Sequence, residues 1–276
     1  MPEIFAGFEV LLKDEPEYAD TGRWEIIVKY NGSLDAVSEA LEAEVELLGG
    51  SYAILTMNAS RIREIYNYSE IEYVELPKNL TPSLEGSLSA ACVTSVHSPG
   101  EYDLRGKGVL VGIIDSGIDY AHPDFIGPDG RSRILYMWDQ SAEGTPPAGF
   151  TSGVEYTADQ LTAAAQSDIP QAVIPSTDTV GHGTAVAGIA AGNGRGYNGY
   201  VGVAPEASII AVRLGEKGRK SFARTTEIMR ALKYISDKAL ELRMPVAINL
   251  SMGTNNGSHS GTSLFETYID DVSRRW

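Results

Sequence analysis

The sequence predicts an α/β protein, a mostly parallel sheet flanked by helices, preceded by a small α+β unit of ferredoxin type. Three observations predict it. Val109–Ile114 is an unbroken apolar run that ends on Asp115-Ser116-Gly117, the pattern of a strand buried on both faces. Thr184–Gly192 is a run of small residues with Val186 and Ile189 as its larger members, a slim apolar helix of the kind that packs closely on a sheet. Residues 24–76 alternate strand and helix patterns in quick succession, which fits a ferredoxin-like unit.

Residues 1–20 read as an extension, ending in the acidic, Pro-containing Lys13–Glu17. The start has no basic n-region, so it is not a Sec signal, and no stretch is long enough to span a membrane. Residues 21–84 form the first domain. Trp24–Tyr30 is a strand closed by the turn Asn31-Gly32. Ser33 or Asp35 can cap the helix that follows, whose Leu34, Val37, Leu41, Val45 and Leu48 recur at intervals of three and four. Glu39, Glu42 and Glu46 fall on its wet side, and Gly49-Gly50 stops it. Ser51–Met57 is a strand, Asn58–Ser60 starts a second helix that runs to Tyr68, and Ile71–Leu76 is another strand. Residues 78–100 are a polar, Ser- and Pro-containing tether. An exposed tether is cleavable, with Leu84–Ala91 as the expected window; a permanently uncleaved linker is the alternative.

Residues 85–276 form the second domain. After the strand that ends at Asp115, an Asp at the tip of a buried strand stands where open α/β sheets keep functional groups. Ala121–Phe125 is a turn in which His122 beside Pro123 reads as structural. Residues 126–178 are a long polar insertion, with a strand at Arg131–Gln140 and a short helix at Thr157–Ala165. It is decoration or a cleft wall in equal measure. In Gly181-His182-Gly183, the two glycines let a backbone approach closely. His182 then opens the small-residue helix, where the positive helix end disfavours imidazolium and keeps a neutral base available. Gly192–Gly196 looks like a phosphate loop but follows a helix instead of opening one, so a nucleotide-binding domain is set aside. Ser208–Leu214 is a buried strand. Thr225–Arg243 is an amphipathic helix with Ile228, Leu232, Ile235 and Leu242 inward. Pro245 leads into a strand over Val246–Gly253, and Leu264–Ser273 is a closing helix.

The formal net charge of −15 argues against nucleic acid and anionic membrane as partners. The single Cys92 excludes an internal disulfide framework and leaves the compartment open.

Four stretches in one order carry a resemblance: Asp115–Phe125, Gly181–Gly188, Gly202-Val203-Ala204-Pro205 and Ile248–Gly253. Together they resemble the subtilisin-like serine peptidases, the subtilases. The resemblance implies a subtilisin-like fold and peptide-bond hydrolysis by an Asp-His-Ser triad, Asp115 orienting and His182 acting as base and then acid. It implies that Leu214-Gly215 pairs with the backbone of a protein or peptide substrate, and that Ser251, Met252 and Gly253 line the other side of the groove beside the specificity pocket. It also implies that residues 21–84 are a prodomain bound in cis, a chaperone and inhibitor. The physical need for one is contact order, since parallel sheets depend on slow long-range pairings. Asp124 matches a position that helps bind calcium in several subtilases. The loop 193–199 carries Gly and Arg where a hard cation needs many oxygens, so neither calcium nor any other metal or cofactor is predicted.

The family's nucleophile lies in a G-T-S-x-A-x-P signature. Gly261-Thr262-Ser263-Leu264-Phe265 departs from it: Phe265 replaces Ala, no Pro follows, and Ser263 comes only ten residues after Gly253. The chain is therefore expected to carry the prodomain, the Asp and the His, with the serine and the oxyanion Asn beyond Trp276. Its sheet would be incomplete at the C-terminal side, and the fragment alone poorly stable, with an exposed apolar face, and inactive. The rival reading is a non-catalytic peptide- or partner-binding relative. The missing Sec signal, the acidic balance and the insertion resemble clostridial-type subtilases, some of which act in spores. That implies cytoplasmic synthesis followed by spore association or non-classical export.

Overall fold

The computed structural model describes residues 22–77, 81–82, 93–97, 100, 102–196, 201–215, 223–253 and 260–274. The extension 1–20 and the expected processing window 84–91 lie outside the described residues. The chain divides into two compact units: Met1–Lys78 with Arg224–Met229 and Asn256–Arg275, and Asn79–Ala223 with Arg230–Asn255 and Trp276.

The first unit holds β1 (Arg23–Tyr30), α1 (Asp35–Leu41), β2 (Glu44–Gly49), β3 (Tyr52–Asn58), a 3-10 helix (Ala59–Asn67) and β4 (Ile71–Glu75). The sheet order is β2-β3-β1-β4, with every pair antiparallel. This is the strand-helix-strand, strand-helix-strand layout of a ferredoxin-like unit, reached by a route the sequence reading missed. The helix expected over 34–48 ends at Leu41, where Glu42 takes a left-handed conformation (φ 51°) and the Ala43 N–H turns back to the Ser38 carbonyl. Val45 and Leu48 belong to β2, and Glu46 is buried instead of wet. Gly49, Gly50 and Ser51, with φ of 82°, 60° and 67°, make the hairpin to β3 and do not stop a helix. Val45 and Leu48 fit a helical spacing and a strand equally well; the left-handed residue and the Gly-Gly hairpin decide for the strand. Leu34 is the N-cap, and the Ser33 hydroxyl accepts the Asp35 N–H.

One face of this sheet carries Ile26, Val28, Ala53 and Leu55 against Val37 and Leu41 of α1 and Ile62 and Ile65 of the 3-10 helix. The chain's last helix, Leu264–Ser273 (α7), belongs to the same unit. Tyr268 sets its ring edge-on to Tyr52 at 5.2 Å and its hydroxyl 3.4 Å from the Leu48 carbonyl. The Leu264 N–H donates to Glu75 at 2.8 Å.

The second unit holds β5 (Thr81–Pro82), α2 (Val93–Val96), β6 (Leu110–Asp115), β7 (Ile134–Asp139), β8 (Val154–Thr157), α3 (Ala158–Ala165), α4 (Pro170–Val173), α5 (His182–Ala191), β9 (Ser208–Arg213), most of α6 (Thr225–Leu242), β10 (Val246–Leu250) and β11 (Met252–Gly253). Its main sheet runs β10-β6-β9-β7-β8, parallel except for the edge strand β8. All six residues of β6 are buried, as a strand covered on both faces requires. Val111, Ile113, Ile209 and Ala211 share one core with Val186, Ala187 and Ala191 of α5. On the other face Gly112 admits α6: a Cβ there would lie 2.9 Å from the Ile235 side chain. Trp138 packs as a tilted ring against Phe150 and Tyr234, at centroid distances of 4.6 and 5.1 Å, and ties the insertion to α6.

Two further expectations change. The strand expected over 246–253 breaks at Ser251, and Met252-Gly253 leaves the main sheet to pair antiparallel with Thr81-Pro82. The small-residue helix α5 is buried on one side only: Ile189 is 40% exposed and Leu242, expected inward on α6, is half-buried.

Candidate active site

The parallel register aligns three charged residues at the C-terminal rim of the sheet. Asp115 of β6 faces Arg213 of β9, and Arg213 faces Asp139 of β7. Such a rim collects chemistry because each strand ends there and a loop or helix start begins.

Asp115 is fully buried. Its Oδ1 accepts the Ser116 N–H at 2.7 Å and lies 2.7 Å from His182 Nδ1, although 67 residues separate the pair in the chain. Glycine makes the approach feasible. A Cβ on Gly183 would collide with the Gly117 carbonyl and come within 2.9 Å of the Asp115 Cβ. Gly181, with φ 82°, is the left-handed N-cap of α5. With the proton on Nδ1 and directed at the carboxylate, Nε2 presents its lone pair. The His182 side chain is only 12% exposed, and Nε2 is buried with no partner among the described residues. Asp115 Oδ2 is likewise buried and unpartnered.

A second carboxylate, which the sequence reading passed over as the last residue of the insertion, fixes the start of α5. Asp178 Oδ1 accepts the Ser116 hydroxyl at 2.8 Å and the Val180 and Gly181 N–H groups; Oδ2 accepts the Thr184 N–H at 2.8 Å and its hydroxyl at 2.7 Å. Ser116 Oγ accepts the Gly183 N–H, and Thr184 Oγ1 accepts the Asp119 N–H. These bonds satisfy N–H groups that a helix start leaves open. Burial alone would raise the Asp178 carboxyl, but the donors on Thr184, Ser116 and Gly181 outweigh it and hold the group below the usual carboxylate range. The available signal was an Asp just upstream of a helix start.

The expected substrate-binding residues flank Asp115. Leu214 and Gly215 follow β9, on one side of β6; Ser251, Met252 and Gly253 follow β10, on the other. Leu214 is buried and its N–H donates to the Asp115 carbonyl at 2.8 Å. Gly215 adopts φ 151°, and a Cβ there would meet Ser141 at 3.0 Å. The Ser251 hydroxyl accepts Asn249 Nδ2 at 2.8 Å.

Ser263 is engaged elsewhere. It is the N-cap of α7 in a reciprocal capping box, its hydroxyl accepting the Glu266 N–H while Glu266 accepts the Ser263 N–H. At Asp124, Oδ1 accepts the Gly196 N–H at 2.6 Å, and among the described residues no group of three His, Cys, Asp or Glu is arranged to hold a metal ion. Among the same residues no helix is long and apolar enough to cross a membrane.

Comparison with known proteins adds two matches. Residues 106–274 match the model of the subtilase family, and residues 10–78 match that of the Csp protease B prodomain. A subtilisin from Bacillus sp. (strain TA39) is 31% identical over 154 residues, covering 55% of this chain and 29% of that protein. The subtilisin-like protease SBT2.2 of Arabidopsis thaliana is 29% identical over 231 residues, covering 76% of this chain and 25% of that one. The chain thus spans less than a third of the length of these relatives. Among solved structures, the Clostridium perfringens CspB protease aligns with a TM-score of 0.59 at 38% identity, over 67% of this chain and 36% of that one. Fervidolysin from Fervidobacterium pennivorans aligns over 92% of this chain and 38% of that one, with a TM-score of 0.56 at 17% identity, a likeness of fold alone.

Proposed function

The chain belongs to the subtilase family, and from that premise we propose that it carries the acid-base half of a serine endopeptidase site. Asp115 holds the His182 ring in the tautomer with Nδ1 protonated. His182 Nε2 takes the proton of a serine hydroxyl as that oxygen attacks the scissile carbonyl, and then returns it to the leaving amine. The nucleophile and the oxyanion donor are contributed by residues other than these 276, so the chain alone cleaves nothing. The observation that carries the reading is the 2.7 Å contact between His182 Nδ1 and the buried Asp115, with Nε2 unpartnered among the described residues. That Ser263 serves as a helix cap supports excluding it as the nucleophile. The reading needs no calcium at Asp124, whose Oδ1 already meets the Gly196 N–H.

Residues 21–84 act as the prodomain and substrates are proteins or peptides. The prodomain match over 10–78 supports the first, and the antiparallel pairing of Met252-Gly253 with Thr81-Pro82 supports a main-chain docking edge at the expected groove. That same edge favours one rival, a relative that holds a peptide without cutting it. A fluorophosphonate probe separates the two. The 276-residue chain should take no label, and a version extended through its downstream reading frame should label stoichiometrically and lose the label with His182→Ala. An extended, folded protein that takes no label would leave only the binding reading.

A further inference from the structure

Asp139 has no role in the proposed chemistry, yet it is built with more care than Asp115. It is 1% exposed. Its Oδ1 accepts the N–H and the hydroxyl of Ser141, at 2.9 and 2.6 Å. Its Oδ2 accepts the Ser176 hydroxyl at 2.5 Å and one guanidinium N–H of Arg213 at 3.0 Å. Arg213 sits in register between Asp139 and Asp115, on the strand adjacent to both. The stem of its side chain crosses the backbone just after Asp115: a Cβ on Gly117 would lie 3.3 Å from the Arg213 Cδ.

This arrangement raises a question of competition. Asp115 Oδ2 is a buried carboxylate oxygen with no partner among the described residues. A cation one strand away is strongly drawn to such a group, and Arg has further N–H donors with which to reach it. Side chains in register on neighbouring strands are close enough to pair. An Arg213–Asp115 ion pair would remove the negative charge that orients and supports the His182 ring.

We propose that Asp139 is a positioning residue that anchors Arg213 away from Asp115, so that no cation competes with His182 for that carboxylate. The proposal rests on the reading of Asp115 and His182 as an acid-base pair. Ser141 and Ser176 fix the carboxylate of Asp139, and Asp139 fixes the guanidinium. Among the described residues, the charged groups around the pair are Asp178, which caps the start of α5, Asp119 in the turn after β6, and Arg213, in register with Asp115 on β9. Arg213 is the cation of this set, and its strand register places it beside both Asp115 and Asp139.

The test is the proton resonance of the His182 Nδ1–H, which moves far downfield when it is held by a carboxylate, read on the whole 276-residue chain and assigned with His182→Gln. Wild type should show it. Its absence from the folded wild type would sink the acid-base reading itself, independently of Asp139. Asp139→Asn should weaken the resonance or move it upfield. Arg213→Gln alone should leave it in place, and the double variant Asp139→Asn/Arg213→Gln should restore it. Rescue by removing a second residue is an outcome that a purely structural role for Asp139 would not produce. If Asp139→Asn does not fold, Asp139→Ser, which keeps a small hydroxyl between Ser141 and Ser176, carries the same comparison. A wild-type resonance that persists in a folded Asp139 variant, or its loss without recovery in the double variant, overturns the proposal.

Discussion

Two carboxylates stand at the same rim, at the tips of β6 and β7, and they are treated in opposite ways. Asp139 is saturated by donors from Ser141, Ser176 and Arg213. Asp115 is as fully buried, and one of its oxygens has no partner among the described residues. A satisfied buried carboxylate is a structural joint, because each of its bonds must break for it to move. A half-satisfied one stays reactive: its field is not cancelled, and it falls on the imidazole it touches. On the proposed reading, reactivity at this rim comes from withheld partners, and the surrounding residues must supply the stability that Asp115 does not.

The variants that break this contrast can be ranked. The largest effect is expected from Asp115→Asn in a version extended to include the nucleophile. Peptide hydrolysis should fall by about 10⁴-fold with the circular dichroism spectrum unchanged, since the amide no longer fixes the ring tautomer. Next is Gly183→Ala, whose methyl group meets the Gly117 backbone. It should cost about 3 kcal/mol in urea unfolding, at the upper end for overpacking because backbone cannot rotate aside. Asp178→Ala should cost about 2 kcal/mol by leaving the N–H groups of Gly181 and Thr184 without their acceptor. Ser263→Ala should cost about 1 kcal/mol, the worth of a lost cap, and leave probe labelling of the extended protein untouched.

A pH series sharpens the ranking. The Asp178 carboxyl is lowered in the native state from its ordinary 3.8. Its contribution is therefore complete above that value and disappears as pH falls through the lower native one. The stability gap between wild type and Asp178→Asn should be constant near neutrality and narrow on acidification below 3.8. A gap that widens in acid would contradict the hydrogen-bonded role of Asp178.

Much of this molecule was legible in its sequence where the signal was continuous. The apolar run before Asp115 could only be a buried strand, and the glycines around His182 announced a close backbone approach that Gly183 makes against Gly117. Legibility failed at 42–49, where Val45 and Leu48 suit a helix and a strand alike and the outcome hung on the left-handed Glu42 and the Gly49-Gly50 hairpin. It failed again for the rim network. Asp178 meets Ser116 across 62 residues and Arg213 meets Asp139 across 74. No local pattern encodes such partners; the strand register sets the second pair, and the packing of α5 onto the end of β6 sets the first.

The short ladder between Met252-Gly253 and Thr81-Pro82 has a kinetic consequence. Two residues of pairing hold little intrinsic affinity, so the contact depends on both strands belonging to one chain, which keeps their effective concentration high. A competing peptide free in solution must exceed that concentration to displace it. A cut between 84 and 91 would leave α7 still packed against Tyr52 and Glu75, so cleavage alone would loosen the edge without releasing the first unit.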